Sequence, residues 1–185
     1  DELIKARFVE LFGDVKENDW FQSYVKKASE MKIMIGVSEK TFAPEENLTR
    51  GMAATIIYRL AKGEEKEELT FTDVSKGVYY TDAIAWAAKN EIVKGTGNHQ
   101  FEPDREVTRE ELATILYRID TDSQEIYVEP VMTYTDVDAS RWSYSAIMYL
   151  TNLNVLTGYP DGTFMPAQPM TRAELAAVVA RYAKL

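Results

Sequence analysis

Cysteine is absent from the 185 residues of this chain, and histidine occurs once, at His99. The lack of cysteine excludes disulfide bonds and thiolate metal sites. It leaves the compartment open, because extracellular and cytosolic proteins alike can lack cysteine. A lone histidine without a second histidine, a cysteine or a matched carboxylate pair does not favour catalysis or metal binding. The sequence therefore predicts no cofactor and no metal.

Basic runs and long apolar runs are missing as well. The formal charge is −9, from 21 basic and 30 acidic residues, and an acidic surface repels polyphosphate, so no nucleic-acid partner is expected. No apolar stretch approaches the roughly 18 to 20 residues that span a bilayer, so no membrane contact is expected. The first residues lack the basic and apolar parts of a signal peptide. We interpret the chain as a fragment of a longer protein; the alternative is that a signal peptide has been removed.

Apolar and aromatic residues, by contrast, are plentiful. Hydrophobic residues make up 45% of the chain, with three Trp, eleven Tyr and seven Phe. An unfolded acidic tail would lack them. The composition predicts a folded protein with a substantial core.

The main feature of the sequence is a threefold repeat, in which three segments align without a gap from an Asp-Val pair. The Asp-Val pairs begin at Asp14, Asp73 and Asp136. Glycine follows 22 positions later (Gly36, Gly95, Gly158), phenylalanine at 28 (Phe42, Phe101, Phe164) and proline at 30 (Pro44, Pro103, Pro166). Thr-Arg follows at 35 and 36 (Thr49-Arg50, Thr108-Arg109, Thr171-Arg172), and arginine again at 45 (Arg59, Arg118, Arg181). Insertions fall only between the segments, which indicates folded modules joined by linkers.

The repeat divides the chain into three modules. The predicted repeats are residues 12–62, 71–119 and 134–185, and the predicted linkers are 63–70 and 120–133. Residues 1–11 have the apolar spacing of one more helix, which either packs on the first repeat or ends a preceding domain.

Each repeat is predicted to form a helix, a loop and a second helix. The first helix follows an aromatic residue (Trp20, Tyr79, Trp142) and is expected to end near the repeat glycine. The second is expected to begin at the repeat threonine, with capping boxes in Thr108-Arg109-Glu110-Glu111 and Thr171-Arg172-Ala173-Glu174. The first copy departs, because Gly51 and Met52 follow Arg50. Modules of roughly 50 residues bury little surface alone, so an all-α fold with one shared core and pseudo-threefold character is predicted, with three clefts between neighbours.

These motifs resemble the S-layer homology domain family over about residues 12–184. The resemblance is carried by Phe-x-Asp-Val, the aromatic residue six positions after the aspartate, Gly-Tyr-Pro-Asp-Gly-Thr-Phe at 158–164 and Thr-Arg-Ala-Glu at 171–174. It implies a three-pronged spindle of three tandem domains, each giving one helix to a central bundle. It also implies an extracellular, non-enzymatic module of the bacterial cell wall or S-layer. The implied partners are an anionic, often pyruvylated secondary cell-wall polysaccharide, bound in grooves between repeats, and the parent protein's other domains.

The residues predicted to bind the glycan follow from this resemblance and from charge. The resemblance implicates Arg109 and Arg172, with Arg50 weaker because of its departing context. A guanidinium and the free N–H groups of a helix start both suit a carboxylate. The alternative for these arginines is an exposed side chain or an ion pair with the repeat aspartate.

The other predicted site residues each have a second interpretation. Trp20, Tyr79 and Trp142 either offer a flat face to a sugar or belong to the core. Asp14, Asp73 and Asp136 cap the first helix or tie the loop to the arginine, with ligand binding as a lesser role. Gly36, Gly95 and Gly158 stop the first helix and also allow close approach of a sugar. Arg59, Arg118 and Arg181 are interpreted as structural.

Two other functions remain as alternatives. A protein–protein interaction or S-layer assembly module could use the same clefts. An enzyme is less favoured, because a glycosidase would need paired carboxylates in one cleft and the repeated acids look structural. Calcium binding is not supported, because Asp136-Val137-Asp138 and Asp161-Gly162 do not follow the order of an EF-hand loop.

Overall fold

The computed structural model describes residues 12–64 and 67–184, and these contain six α-helices and no β-strand. The helices are α1 (Gln22–Glu30), α2 (Arg50–Leu60), α3 (Thr81–Lys89), α4 (Arg109–Asp120), α5 (Tyr144–Asn152) and α6 (Arg172–Tyr182). Each repeat contributes two of them, which confirms the all-α class and the helix–loop–helix repeat. The helix expected over residues 1–11 lies outside the described residues. None of the six helices combines the length and apolar character that a membrane crossing requires.

The chain groups into two compact units that do not follow the repeat boundaries. One unit combines residues 12–47 with 170–184, and in it α1 packs on α6. The other covers residues 48–169, and in it α3 packs on α2 and α5 packs on α4. The second helix of one repeat therefore packs on the first helix of another. No repeat folds onto itself alone.

The second helices begin where the threonine signal predicts. Thr49, Thr108 and Thr171 are the N-caps of α2, α4 and α6, with extended backbone and ψ of 162°. Glu111 and Glu174 complete reciprocal capping boxes with their threonines. In α2 the Thr49 hydroxyl accepts the Met52 N–H, and the helix starts at the same position without a capping-box glutamate.

The first helices end earlier than predicted. They stop at Glu30, Lys89 and Asn152, six residues before the repeat glycines. The stop is a left-handed turn at Lys32, Glu91 and Asn154, whose φ angles are 59°, 58° and 55°. The amides that follow the turn donate back to the last helical turn, as Ile92 N and Val93 N do to the Ala87 carbonyl. Non-glycine residues make this turn, so the glycine signal pointed to the wrong position.

The repeat glycines instead lie in the loop, where there is no room for a side chain. A Cβ on Gly95 would lie 2.6 Å from the Gln100 carbonyl oxygen and 2.7 Å from the Phe71 ring. Gly36 and Gly158 are enclosed in the same way by Phe12 and Tyr134. Their interpretation as helix stops is wrong, because what they permit is the close packing of the loop on an aromatic ring.

Buried phenylalanines anchor these loops. Phe42, Phe101 and Phe164 are at most 1% exposed. Each ring packs on the aromatic residue that precedes the repeat aspartate, with centroids 5.3 to 5.5 Å apart. The loop after each first helix is thus part of the core and offers a fixed set of backbone carbonyls.

Candidate functional site

The three arginines at the starts of α2, α4 and α6 are buried. Arg50, Arg109 and Arg172 are 7%, 4% and 5% exposed, so the alternative of an exposed helix-start arginine is wrong. Each side chain contacts a loop that belongs to a repeat other than its own. Each arginine therefore has a structural role, because it links its own repeat to another one.

All three guanidinium groups make the same contacts. Nε donates to the carbonyl of the buried phenylalanine, at 2.8, 2.9 and 2.7 Å for Phe101, Phe164 and Phe42. Nη2 donates to the carbonyl just before the repeat glycine, at 2.8 to 2.9 Å, in Lys94, Thr157 and Ile35. Each guanidinium also lies over the phenylalanine ring, 4.5 to 4.7 Å from its centroid. Each of the three guanidinium groups is therefore held in place by the same two loop carbonyls.

The repeat aspartates hold the same loop from the other side. Asp73 accepts the Phe101 N–H at 2.8 Å and the Glu102 N–H at 2.7 Å, and Asp14 and Asp136 make the matching pair of bonds in their repeats. They do not cap the first helices, whose N-caps have no side-chain hydrogen bond. The phenylalanine peptide is thus bound through its N–H by aspartate and through its carbonyl by arginine.

The charge of Asp73 is stabilised by these contacts. Burial raises the pKa of Asp73, but the Phe101 and Glu102 amides and the nearby Arg50 charge outweigh it, so its pKa lies below the ordinary value. The carboxylate is therefore ionised at neutral pH, and it acts as a structural acceptor in the folded state.

The amides at the helix starts are already used within the protein. Arg50 N–H donates to the Arg105 carbonyl and Gly51 N–H to the Pro103 carbonyl, both at 2.8 Å. The same two amides of α4 and α6 donate to loop carbonyls at 2.9 to 3.0 Å, and the third amide of each helix donates to the cap threonine. The prediction that free helix N–H groups would meet a ligand carboxylate is wrong. What these positions offer an anion is therefore side-chain charge and not free amides.

The three aromatic residues of the repeat are on the surface. Trp20, Tyr79 and Trp142 are 58%, 62% and 62% exposed, so the alternative that they belong to the core is wrong. A ring this exposed is unusual for tryptophan, and it leaves a flat apolar face in contact with solvent.

One cavity in the unit of residues 48–169 brings several predicted residues together. It has a volume of about 170 Å³, and we call it the Arg50 groove. Its lining contains Arg50, Gly95 and Trp142 from the predicted set, together with Val93, Lys94, Thr96, Glu111, Thr114, Ile115 and Arg118. Asp73 and Tyr79 are not among these lining residues. The groove therefore joins an arginine, a glycine and an aromatic residue from three different repeats.

The Arg50 groove is positively charged in spite of the acidic chain. Arg50, Lys94 and Arg118 line it, against the single carboxylate of Glu111. Burial lowers the pKa of Arg50, against the opposing charge of Glu111, and a guanidinium keeps its proton even so. The predicted structural residue Arg118 donates to the Ile92 carbonyl at 3.1 Å and also faces the cavity.

Glu111 partly neutralises this charge. Its carboxylate lies 3.0 Å from Arg50 Nη1 and 2.5 Å from Arg105 Nη2. Burial raises the pKa of Glu111, but the hydrogen bond from Arg105, the Thr108 amide and the two arginine charges outweigh it and leave the pKa below its ordinary value. Sequence reasoning assigned Glu111 only to the capping box and did not consider Lys94, whose sole signal is its position before Gly95.

The described residues contain no group of three or more His, Cys, Asp or Glu side chains arranged to hold a metal ion. What the geometry offers a ligand is a shallow cavity with cationic side chains, backbone carbonyls and one exposed indole.

Comparison of the sequence with known proteins identifies the family of this chain. The S-layer homology domain profile matches residues 11–54, 70–113 and 133–176. The cellulosome-anchoring protein of Acetivibrio thermocellus is 30% identical over 146 residues, which cover 76% of this chain and 33% of that protein. The S-layer protein sap of Bacillus anthracis is 29% identical over 92% of this chain and 21% of its own length. Exoglucanase XynX of A. thermocellus is 28% identical over 91% of this chain and 16% of its own length.

The chain thus spans a third or less of these three relatives. Their names describe an enzyme, an anchor and a surface-layer protein, so the shared segment is common to parents of different activity. It is a non-enzymatic module for attachment at the cell surface. With three consecutive matches to one domain, the chain belongs to the S-layer homology domain family.

Proposed function

We propose that this module attaches its parent protein non-covalently to the cell wall by binding a pyruvylated secondary cell-wall polysaccharide. The observation that carries the proposal is the Arg50 groove, in which Arg50, Lys94 and Arg118 surround a cavity edged by the exposed Trp142. A pyruvate ketal carries a carboxylate, and the groove offers that carboxylate more positive than negative charge.

Local charge overcomes the overall charge of the protein. The net charge of −9 opposes an approaching anion at long range, but at physiological ionic strength salt largely screens that repulsion beyond about 8 to 10 Å. A carboxylate in contact with a partly buried cation is screened much less. Binding should consequently weaken only modestly with added salt.

The size and shape of the groove favour one unit of a polymer. Its volume of about 170 Å³ is below the roughly 300 to 1,000 Å³ of pockets that enclose a drug-sized ligand. A single sugar ring with its ketal can enter, while the rest of the chain continues outside. Trp142 supplies the apolar surface that a sugar's C–H face requires.

The same role is proposed for Arg109 and Arg172, because both make the loop contacts that Arg50 makes. The sequence predicts that Arg50 contributes less than the other two. For Arg50 itself, Nη1 lies 3.0 Å from the Glu111 carboxylate, so a carboxylate of the protein already occupies part of this guanidinium.

The test should leave the loop-holding arginines intact. Lys94→Gln and Trp142→Ala change the groove, and Lys89→Gln removes a matched exposed lysine that is absent from the groove lining. In calorimetric titration with the pyruvylated polysaccharide, Lys94→Gln should weaken binding about tenfold or more, the scale of one hydrogen bond to a charged group. Lys89→Gln should bind as the parent does.

A wall pull-down distinguishes the alternative function. Walls stripped of their polysaccharide should no longer sediment the module, and the depyruvylated polysaccharide should bind far more weakly than the ketal form. Undiminished binding to stripped walls would contradict the proposal and favour a protein partner. Equal affinity for the two polysaccharides would show that the groove does not recognise the carboxylate.

A further inference from the structure

We propose that Glu110 is a positioning residue for the Arg50 groove and that it holds Trp142 in place through the residues on either side of it. The proposal rests on the function proposed above. Glu110 is the second residue of α4 and is 7% exposed, and it is absent from the groove lining. A glutamate so deeply buried needs partners that offset the loss of hydration.

Those partners are the two neighbours of Trp142. Arg141 donates from Nε and Nη2 to the two carboxylate oxygens of Glu110, at 2.7 and 2.8 Å. The Ser143 hydroxyl, which is fully buried, donates to the same carboxylate at 2.7 Å. The bidentate guanidinium–carboxylate pair fixes direction as well as distance. One carboxylate therefore fixes the chain immediately before and after the exposed indole.

The Glu110 contacts reduce the freedom of an exposed aromatic side chain before any ligand binds. Trp142 is 62% exposed, so packing supports only part of its side chain. Ordering a mobile side chain on binding costs affinity, and support built in before binding removes part of that cost. The Glu110 contacts supply that support from a different repeat.

The other repeats do not carry these three residues. At the position of Glu110 they have Gly51 and Ala173. At the position of Ser143 they have Phe21 and Tyr80, which fill the space with a ring. The fit is close, since a Cβ on Gly51 would lie 2.8 Å from the Tyr80 ring. In the third repeat a polar cluster therefore stands beside Trp142, where an aromatic ring stands beside Trp20 and Tyr79 in the other two.

The decisive measurement follows Trp142 itself. With Trp20→Phe and Trp86→Phe as background, Trp142 is the only tryptophan in the chain. Glu110→Gln should lower the fluorescence anisotropy of Trp142 and increase its quenching by acrylamide. Glu30→Gln, which removes an exposed carboxylate that lies 4.0 Å from Lys26 Nζ, should change neither. Unchanged anisotropy in folded Glu110→Gln would overturn the proposal, whatever the ligand.

Binding then shows whether the positioning matters. Glu110→Gln should weaken binding of the pyruvylated polysaccharide about two- to tenfold, the cost of ordering one side chain. In a Trp142→Ala background it should have no further effect, whereas a purely structural role would weaken both backgrounds equally. If Glu110→Gln does not fold, Arg141→Lys replaces it, because it keeps the ion pair and loses the fork. If Glu110→Gln lowers the anisotropy of Trp142 but the parent protein binds no polysaccharide, the proposed function is overturned. The positioning role of Glu110 then still holds.

Discussion

Replacing Asp73 by asparagine removes the charge that holds the Phe101 loop and keeps the size of the side chain. In the folded protein the carboxylate accepts the Phe101 and Glu102 amides at 2.8 and 2.7 Å. Asparagine has one carbonyl oxygen for the two amides and presents an NH₂ group to the other. One buried-loop amide therefore loses its acceptor and the remaining hydrogen bond loses its charge.

The size of the effect follows from those two bonds. A hydrogen bond to a charged group contributes about 1.5 to 3 kcal/mol, and a neutral one about 0.5 to 1.5 kcal/mol. Because Asp73 is partly exposed, we expect the free energy of unfolding to fall by about 2 to 3 kcal/mol at pH 7. Asp82→Asn is the matched control, since Asp82 is exposed in the first turn of α3 and contributes about 0.3 to 1 kcal/mol through the helix dipole.

The pH dependence tests the mechanism more sharply than the size does. The pKa of Asp73 is below its ordinary value in the folded state, so its stabilisation is present above the unfolded pKa of about 3.9 and is lost as pH falls through the folded pKa. The difference between the parent and Asp73→Asn should be complete at neutral pH and should shrink in acid. Urea titration followed by circular dichroism measures both. A loss below about 1 kcal/mol at pH 7, or a difference that stays constant down to pH 3, would refute the reasoning.

Three further predictions use other contacts. Gly158→Ala should cost about 1 to 3 kcal/mol in urea titration, since the Cβ would overlap the Tyr134 ring; unchanged stability would contradict the steric role of the glycine. Gly51→Ala should destabilise the protein less in a Tyr80→Ala background than in the parent; equal costs would mean that the ring is not what excludes the Cβ. Glu111→Gln should strengthen binding of the anionic polysaccharide severalfold in calorimetry, because the Arg50 groove loses its one negative charge; weaker binding in a folded variant would show that Glu111 contacts the ligand.

The starts of the second helices could be predicted because their signal is local. Thr108 and Glu111 are three residues apart, and their reciprocal hydrogen bonds depend on nothing beyond that turn. The ends of the first helices could not. Lys32, Glu91 and Asn154 make the left-handed turns, and no side-chain pattern distinguishes them from their neighbours. The nearby glycine offered a stronger signal that belonged to the packing of the loop.

Part of the lining of the candidate site could be predicted from the sequence, and its contacts could not. Arg50, Gly95 and Trp142 were all identified from the repeat, and all three line one groove. Their partners could not be found in the sequence, because Arg50 binds a carbonyl 51 residues away and Arg141 binds a carboxylate 31 residues away. Long-range pairing also explains why the helix-start amides, which look free in the sequence, are occupied in the fold.

The combination of residues 12–47 with 170–184 in one compact unit has a consequence for the timing of folding. The carbonyl of Phe42 and its donor Arg172 are 130 residues apart, so during synthesis or export the first loop emerges long before its partner. The unit of residues 48–169 is continuous in sequence and has no such delay. Contacts between distant segments form more slowly, since a long loop must close first. We therefore expect the pairing of residues 12–47 with 170–184 to form later in folding than the contacts within residues 48–169.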